Sequence, residues 1–528
     1  MDEQRRRPGK VYLIGAGPGR PDLLTLRGAE CLSQADVVVR DASVSERVLE
    51  HCRPETPVLL TRRGIRRRPM GQAEINRRLV RLARSGKIVA RLKVGDPFFF
   101  SRGAEEAEFL ARRHVPFEVV PGVSSVTAVP AYAGVPITHR EYASVLTVVS
   151  GPAGRENTYW AGPGQKNVAS VRWEALPPQG TLVILMGVGE LRGIAQRLML
   201  NGWLASTPVL VARWGTLPAQ KIVEGVLGDI APKAEREGMS APAVIVVGKV
   251  AAFRRRLGWF ERLPLFGRTV LVTRAASRSD ALTALLENEG ARVLVSPAVR
   301  FEPVKPAPRW RRCLRNISRY DGVLFTSATT VRIFSEHWRE MSRDWPVGVA
   351  VYAVGGKTAE QLVRNGFPVH GIGKDAAAGD LVDVLGETEG RRYLFPRAAE
   401  GRDELVEKLR AAGASLDLWP LYRTRPVKME AGMRSSLLAG TVDGVLFASP
   451  SAVGSVLGSF SPRQRRKIFS RTRLFSIGPT TTRALKDFGM RRVHQATRST
   501  MESLAVTVQE KLKIRRRNEG GAYENPFR

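Results

Sequence analysis

At 528 residues the chain is too long for one hydrophobic core, so two to four domains are expected. Its 43% hydrophobic content is ordinary for a globular protein, and no apolar run approaches the roughly 18 residues that a membrane-spanning helix needs. The net charge of +33 favours polyanionic partners (nucleic acid, an anionic membrane or a multi-carboxylate small molecule), although arginines spread along the whole chain also fit a solvated surface. Cys31, Cys52 and Cys313 are scattered, and neither they nor the six histidines form a CxxC or Cys/His cluster. That argues against a disulfide framework or a zinc site, and no metal is expected. The charged Met1–Lys10 segment has no apolar signal core, so a cytoplasmic location is expected.

In chain order, a basic extension (1–9) leads into the strand-like Val11–Ile14 and then into Gly15-Ala16-Gly17-Pro18-Gly19. By itself that loop reads either as a dinucleotide loop or as a tight strand-to-helix turn. It lacks the GxGxxG spacing, and Pro18 removes a backbone donor where a phosphate cradle needs one. Short Val/Ile/Leu runs then alternate with amphipathic segments: 37–39, 145–149, 182–186, 209–212 and 244–247. Such alternation predicts α/β layering with largely parallel sheets. The basic Arg254-Arg255-Arg256 and the Pro/Gly-bearing joint after it mark a linker at 256–268, with one unit over 10–255 and another over 269–513. A polar basic tail follows at 514–528.

The second unit contains an internal repeat. Val272-Thr273-Arg274-Ala275-Ala276 returns as Phe395-Pro396-Arg397-Ala398-Ala399, Asp321–Ser327 as Asp443–Ser449, and Gly355 with Thr358 as Gly478 with Thr481. Three motifs in one order at an offset of about 120 residues predict two similar α/β lobes rather than solenoid units. Two such lobes usually enclose a ligand.

From about Lys10 to Val250 the sequence resembles the uroporphyrinogen-III C-methyltransferases, within the tetrapyrrole methylases that use S-adenosylmethionine. The likeness rests on Gly15–Gly19, Asp41, Gln72 with Ile75-Asn76, Arg91–Phe98, Val119–Ser124, Pro130–Arg140, Met186-Gly187, Trp214-Gly215-Thr216 and Pro242-Ala243. It implies a two-lobed methylase fold and a homodimer formed through this half. It also implies S-adenosylmethionine near Pro18, Val94, Gly95, Asp96 and Phe99, and near Ser124, Ser125, Met186, Gly215 and Ala243. Methyl transfer from a sulfonium to a pyrrole carbon needs alignment and exclusion of water more than a protein nucleophile. Asp41 matches the family's proton acceptor, and a helix cap or turn is its alternative role. Where the family has a lysine proposed as proton donor, this chain has Arg62 or Arg63, and arginine is a poor donor. Val94 replaces a glycine, Arg20 an aspartate and Arg40 a tyrosine. Arg62, Arg63, Arg91, Lys93 and Arg140 are expected on a cationic wall for the substrate's carboxylates, with solvated surface charge as the alternative.

The duplicated half, about Thr269 to Leu512, resembles uroporphyrinogen-III synthase. That family closes linear hydroxymethylbilane into a ring, a largely conformational task that fits the absence of a Ser/His/Asp or Cys/His constellation. Tyr422 matches a tyrosine suggested to assist hydroxyl departure, or is a packing residue. Thr326, Ser327, Thr358, Arg397, Ser449, Ser451 and Thr481 are expected to meet substrate carboxylates, the hydroxyls alternatively capping helices. Together the resemblances imply a bifunctional enzyme forming uroporphyrinogen III and then precorrin-2 for sirohaem or cobalamin synthesis. The competing readings are a methylase of another corrin intermediate, RNA or protein, and a basic nucleic-acid-binding protein. The last needs a localised patch with interleaved aromatics, whereas aromatics are 7% and dispersed.

Overall fold

The computed structural model describes residues 9–63, 68–151, 171–274, 281–304, 308–341, 343–373, 380–400 and 403–513. Its first sheet holds β1 (Lys10–Gly15), β2 (Val37–Arg40) and β3 (Val58–Leu60). A small antiparallel pair follows, β4 (Arg62–Arg63) with β5 (Arg68–Pro69), and then β6 (Ile88–Lys93) and β7 (Phe117–Val120). The order β3-β2-β6-β1-β7 is parallel throughout. Parallel strands are covered on both faces, and alternate residues of β1 divide accordingly. Tyr12 and Ile14 pack with Leu32 of α1 (Leu26–Gln34). Val11 and Leu13 pack with Leu79 of α2 (Gln72–Arg84) and Leu110 of α3 (Gly103–Ala111). Leu13, Ile14, Leu32, Leu79 and Leu110 are fully buried, each worth roughly 1.5–3 kcal/mol.

The second sheet, β8 (Leu146–Ser150), β9 (Thr181–Leu185), β10 (Pro208–Arg213), β11 (Lys221–Val226) and β12 (Ala243–Val247), runs in the order β11-β10-β12-β9-β8. Only the β8–β9 pair is parallel. Helices Leu191–Leu200 and Ile230–Arg236 cover one face. On the other face, Val126 and Val129 of α4 (Ser125–Tyr132) pack against Val183, Leu210 and Val244. Because α4 follows β7 directly, it fixes the first sheet against the second.

The joint is packed. The Phe260 ring is fully buried, 4.9 Å from Tyr132 and 5.3 Å from Phe266. Trp259 Nε1 donates to Ala131 O at 3.0 Å, while Leu265 is buried in the core of the following unit.

That unit has two sheets. One comprises β13 (Thr269–Val272), β14 (Arg292–Val295), β21 (Gly444–Phe447), β22 (Arg473–Ser476) and β23 (Val493–Gln495), all parallel, in the order β14-β13-β21-β22-β23. The other contains β15 (Val299–Pro303), β16 (Gly322–Phe325), β17 (Ala350–Ala353), β18 (Gly371–Ile372), β19 (Arg392–Ala398) and β20 (Ser415–Pro426), in the order β15-β20-β19-β16-β17-β18. The sheets therefore do not correspond to the two sequence repeats. Each takes the opening βαβ of one repeat and the closing strands of the other: β13 pairs with β21, and β19 with β16. The chain leaves the first lobe between β14 and β15 and returns after β20, so the antiparallel β15–β20 ribbon joins the lobes.

Candidate active sites

In the N-terminal half, the loops after β1, β6 and β7 meet at the carboxyl edge of the first sheet, where open α/β sheets take ligands. They touch so closely that only glycine fits. A Cβ on Gly15 would lie 2.5 Å from Gly95 O, and one on Gly122 would lie 2.3 Å from the same atom. Gly17 and Gly95 form a short bridge, with Gly95 N donating to Gly17 O at 2.8 Å. Asp96 locks the cluster, its carboxylate accepting from Gly122 N at 2.9 Å and Phe98 N at 2.8 Å. A Cβ on Gly95 (φ +67°) would instead meet nothing closer than Ser125 N, at 3.9 Å.

The opposite wall is built from strained backbone. Met186 (φ 55°), after β9, and Trp214 (φ 53°) and Thr216 (φ 69°), after β10, are non-glycine residues in the left-handed region. Such conformations cluster at functional sites. Thr216 Oγ1 accepts from Arg20 N at 3.3 Å, joining this wall to the glycine-rich loop. Pro18, Val94, Asp96, Ser124, Ser125, Met186, Gly215 and Ala243 are all half-buried at these strand ends, Gly95 is buried among them, and Phe99 is exposed. The residues expected around the cofactor thus lie at strand ends of two sheets whose loops touch at Arg20 and Thr216. Ser124 also caps α4 by accepting from Val126 N.

Asp41 follows β2 at the same edge, its side chain 28% exposed. Oδ1 accepts from Thr61 Oγ1 at 3.2 Å and pairs with Arg91 Nη1 at 2.7 Å. Arg40 folds back beneath the turn, donating to Val44 O and, at 2.8 Å, to Glu46.

Arg91 and Lys93 do not join a cationic wall. They occupy alternate positions of a central strand, so both point into the layer beneath α2 and α3, 1% and 2% exposed. There they share Glu106, itself fully buried. Arg91 Nη2 and Lys93 Nζ each lie 3.0 Å from Oε1, and Gln72 Nε2 donates to the same oxygen at 3.0 Å. Burial alone would raise the Glu106 carboxyl, but Arg91 and then Lys93 hold it below its ordinary value. Burial, followed by the Arg91 charge, pushes Lys93 down. Glu106 gave no signal in the sequence, sitting in a run (Glu105-Glu106) that reads as a solvated helix turn. Arg140 is exposed, and the Arg62 and Arg63 side chains lie outside the described residues.

In the C-terminal half the expected residues again sit at carboxyl ends of strands, divided between the lobes. Thr326, Ser327, Thr358 and Arg397 follow or end β16, β17 and β19, while Ser449, Ser451 and Thr481 follow β21 and β22. Ser327 Oγ accepts from Thr330 N and Ser449 Oγ from Ala452 N, so both hydroxyls are helix caps. Thr358 and Thr481 are buried, as is Arg397, which pairs with Asp403 at 2.8 Å. By contrast, Gly355 and Gly478 begin helices without a side-chain cap. Such ends present backbone N–H groups suited to carboxylates. Lys357 and Glu502 approach to 3.9 Å between the lobes. Tyr422 lies on the ribbon joining the lobes, 7% exposed, its ring edge-on to Phe301 at 5.2 Å. Among the described residues no group of His, Cys, Asp and Glu is arranged to hold a metal, and no helix is long and apolar enough to cross a membrane.

Residues 10–231 match the family of tetrapyrrole (corrin/porphyrin) methylases, and residues 280–505 match uroporphyrinogen-III synthase HemD. A porphyrin biosynthesis protein HemD from Ruminiclostridium josui is 33% identical over 504 residues, which is 94% of this chain and 97% of that protein. A uroporphyrinogen-III C-methyltransferase from Priestia megaterium is 41% identical over 246 residues, 46% of this chain and 99% of that protein. A siroheme synthase from Azotobacter vinelandii is 42% identical over 48% of this chain, which spans 52% of that protein's length. A solved uroporphyrin-III C-methyltransferase from Thermus thermophilus, complexed with S-adenyl homocysteine, is 36% identical over 46% of this chain and 99% of its own, with a TM-score of 0.38. The chain is a bifunctional enzyme of tetrapyrrole biosynthesis, belonging to the tetrapyrrole methylases through its N-terminal half and to the uroporphyrinogen-III synthases through its C-terminal half.

Proposed function

We propose that the C-terminal half closes hydroxymethylbilane to uroporphyrinogen III and that the N-terminal half methylates this product twice, giving precorrin-2 for sirohaem or cobalamin synthesis. The observation that carries the methylase assignment is the close meeting of three loops at the edge of the first sheet. There a glycine-lined backbone cradle lies beside a carboxylate of fixed orientation. S-adenosylmethionine, when bound, supplies the electrophilic methyl group. The chain's own part is to hold the cofactor against the Gly95 and Ser125 backbone, keep water out, and remove the proton that the ring loses after methylation. Among the described residues, Thr61 and Arg91 both meet Asp41 at Oδ1, and we assign the proton to Oδ2.

In the synthase half, we assign the linear substrate to the space between the lobes. The helix starts at Gly355 and Gly478 would take carboxylates from opposite sides. Binding both ends of the bilane lowers the entropy barrier to closure, and Tyr422 is assigned to the departing hydroxyl. The same reading has the protein working in the cytoplasm as a homodimer through its methylase half. Sedimentation equilibrium showing only monomer would refute the dimer.

Asp41→Asn in the full chain tests the division of labour. With hydroxymethylbilane and S-adenosylmethionine it should accumulate unmethylated uroporphyrinogen III, with methyl transfer slowed about 10²–10⁴-fold. Undiminished methyl transfer would remove Asp41 from its role.

A further inference from the structure

We propose that the synthase half holds the methylase's two active-site loops in place through Glu287 and Asn288, which makes both positioning residues for methyl transfer. These residues end the helix Ala281–Asn288, which packs on the first lobe's sheet and reaches the carboxyl edge of the methylase sheet. Glu287 Oε1 pairs with Arg47 Nη1. Arg47 belongs to the short helix Glu46–His51, directly after the turn that carries Asp41. The neighbouring Asn288 Oδ1 accepts from Arg20 Nη2 at 3.3 Å. Arg20 terminates the Gly15–Gly19 loop, and its guanidinium is itself held by Asp22 while its backbone N–H reaches Thr216. Two consecutive residues of one half thus grip the cofactor loop and the proton-acceptor loop of the other.

An exposed ion pair of this kind would contribute little. This one is largely enclosed, the Arg47 and Glu287 side chains being 32% and 21% exposed. Burial pushes the Glu287 carboxyl up, while Arg47 and then Arg20 draw it back, so Arg20 also lies in its field. The packed joint keeps the helix in register, since Leu265 N donates to Glu289 O at 2.8 Å and Leu263 and Phe266 lie against Gly290. Cofactor affinity in the first half therefore depends on side chains of the second, and linkage makes the dependence reciprocal.

The inference rests on the cofactor assignment above, and the test separates the two. Titration calorimetry with S-adenosylhomocysteine is run on the full chain, on Glu287→Ala, Arg47→Ala and their double variant, and on Asn288→Ala. Wild type should bind. Glu287→Ala should bind about five- to tenfold more weakly, with the two pair variants non-additive in the double and synthase kcat/KM unchanged. Wild-type affinity within twofold in Glu287→Ala and Asn288→Ala would overturn the inference, as would a parallel loss of synthase activity, which would mark a general folding role. No binding by the wild type would instead overturn the cofactor assignment.

Discussion

Glu106→Gln removes a charge that two buried cations share. The carboxylate is fully buried and lies 3.0 Å from both Arg91 Nη2 and Lys93 Nζ, so the amide leaves Lys93 desolvated without a counter-ion and Arg91 with Asp41 alone. Breaking one buried pair by removing a partner costs about 3–5 kcal/mol. For a unit of this size that corresponds to a fall of about 6–20 °C in the methylase half's melting temperature. Lys93→Met added to Glu106→Gln removes one orphaned charge and should recover part of the loss. Alone, Lys93→Met should cost little, because Arg91 still neutralises Glu106. The assay is differential scanning calorimetry of the full chain, with synthase activity reporting that the other half remains folded. The pH dependence has a definite sign. The folded-state carboxyl of Glu106 is held below its ordinary 4.5, so its stabilisation is present above that value and is lost as pH falls through the folded value. Lys93 is displaced down from 10.5, so stability rises with pH between its lowered folded value and 10.5. A Glu106→Gln melting temperature within about 2 °C of wild type would refute the shared-charge account.

Other expectations are narrower. Gly122→Ala puts a Cβ 2.3 Å from Gly95 O, and should destabilise the methylase half by about 1–3 kcal/mol. It should also abolish S-adenosylhomocysteine binding in calorimetry, and normal binding would show that the loops can separate freely. Tyr422→Phe keeps the ring against Phe301, so denaturant unfolding should change by less than about 1 kcal/mol. Synthase kcat should nevertheless fall by about tenfold or more, and an unchanged kcat would return Tyr422 to a packing role. Lys357→Ala removes the exposed contact to Glu502 at 3.9 Å, and unfolding free energy should stay within about 0.5 kcal/mol of wild type. A larger loss would mean that the lobes depend on this contact.

Much of the architecture was legible because its causes are local. Short branched runs became strands, and Gly15–Gly19 became the strand-to-helix turn that its glycines and Pro18 dictate. The exchange of strands between the two repeats was not legible. Asp321–Ser327 and Asp443–Ser449 look alike whichever strand lies beside them, and pairing depends on contacts far away in sequence. Arg91 and Lys93 were expected on a cationic wall for substrate carboxylates, with solvated surface charge as the alternative. Their strand is central in a sheet covered on both sides, so alternation sends both inward. The cue for burial was present in the unbroken apolar neighbours of β1 and β2, but nothing local pointed to Glu106 as the partner. At the joint, Trp259-Phe260 was the overlooked signal, because aromatic residues in a free linker would have nothing to pack on.

The most direct test of the whole account is a single incubation of the purified chain with hydroxymethylbilane and S-adenosylmethionine, followed by absorbance and mass spectrometry. The account predicts a doubly methylated product with an isobacteriochlorin-type spectrum, and unmethylated uroporphyrinogen III when the methyl donor is omitted. Failure to form uroporphyrinogen III from the bilane would contradict the synthase assignment. Uroporphyrinogen III that persists unmethylated with the donor present would contradict the methylase assignment.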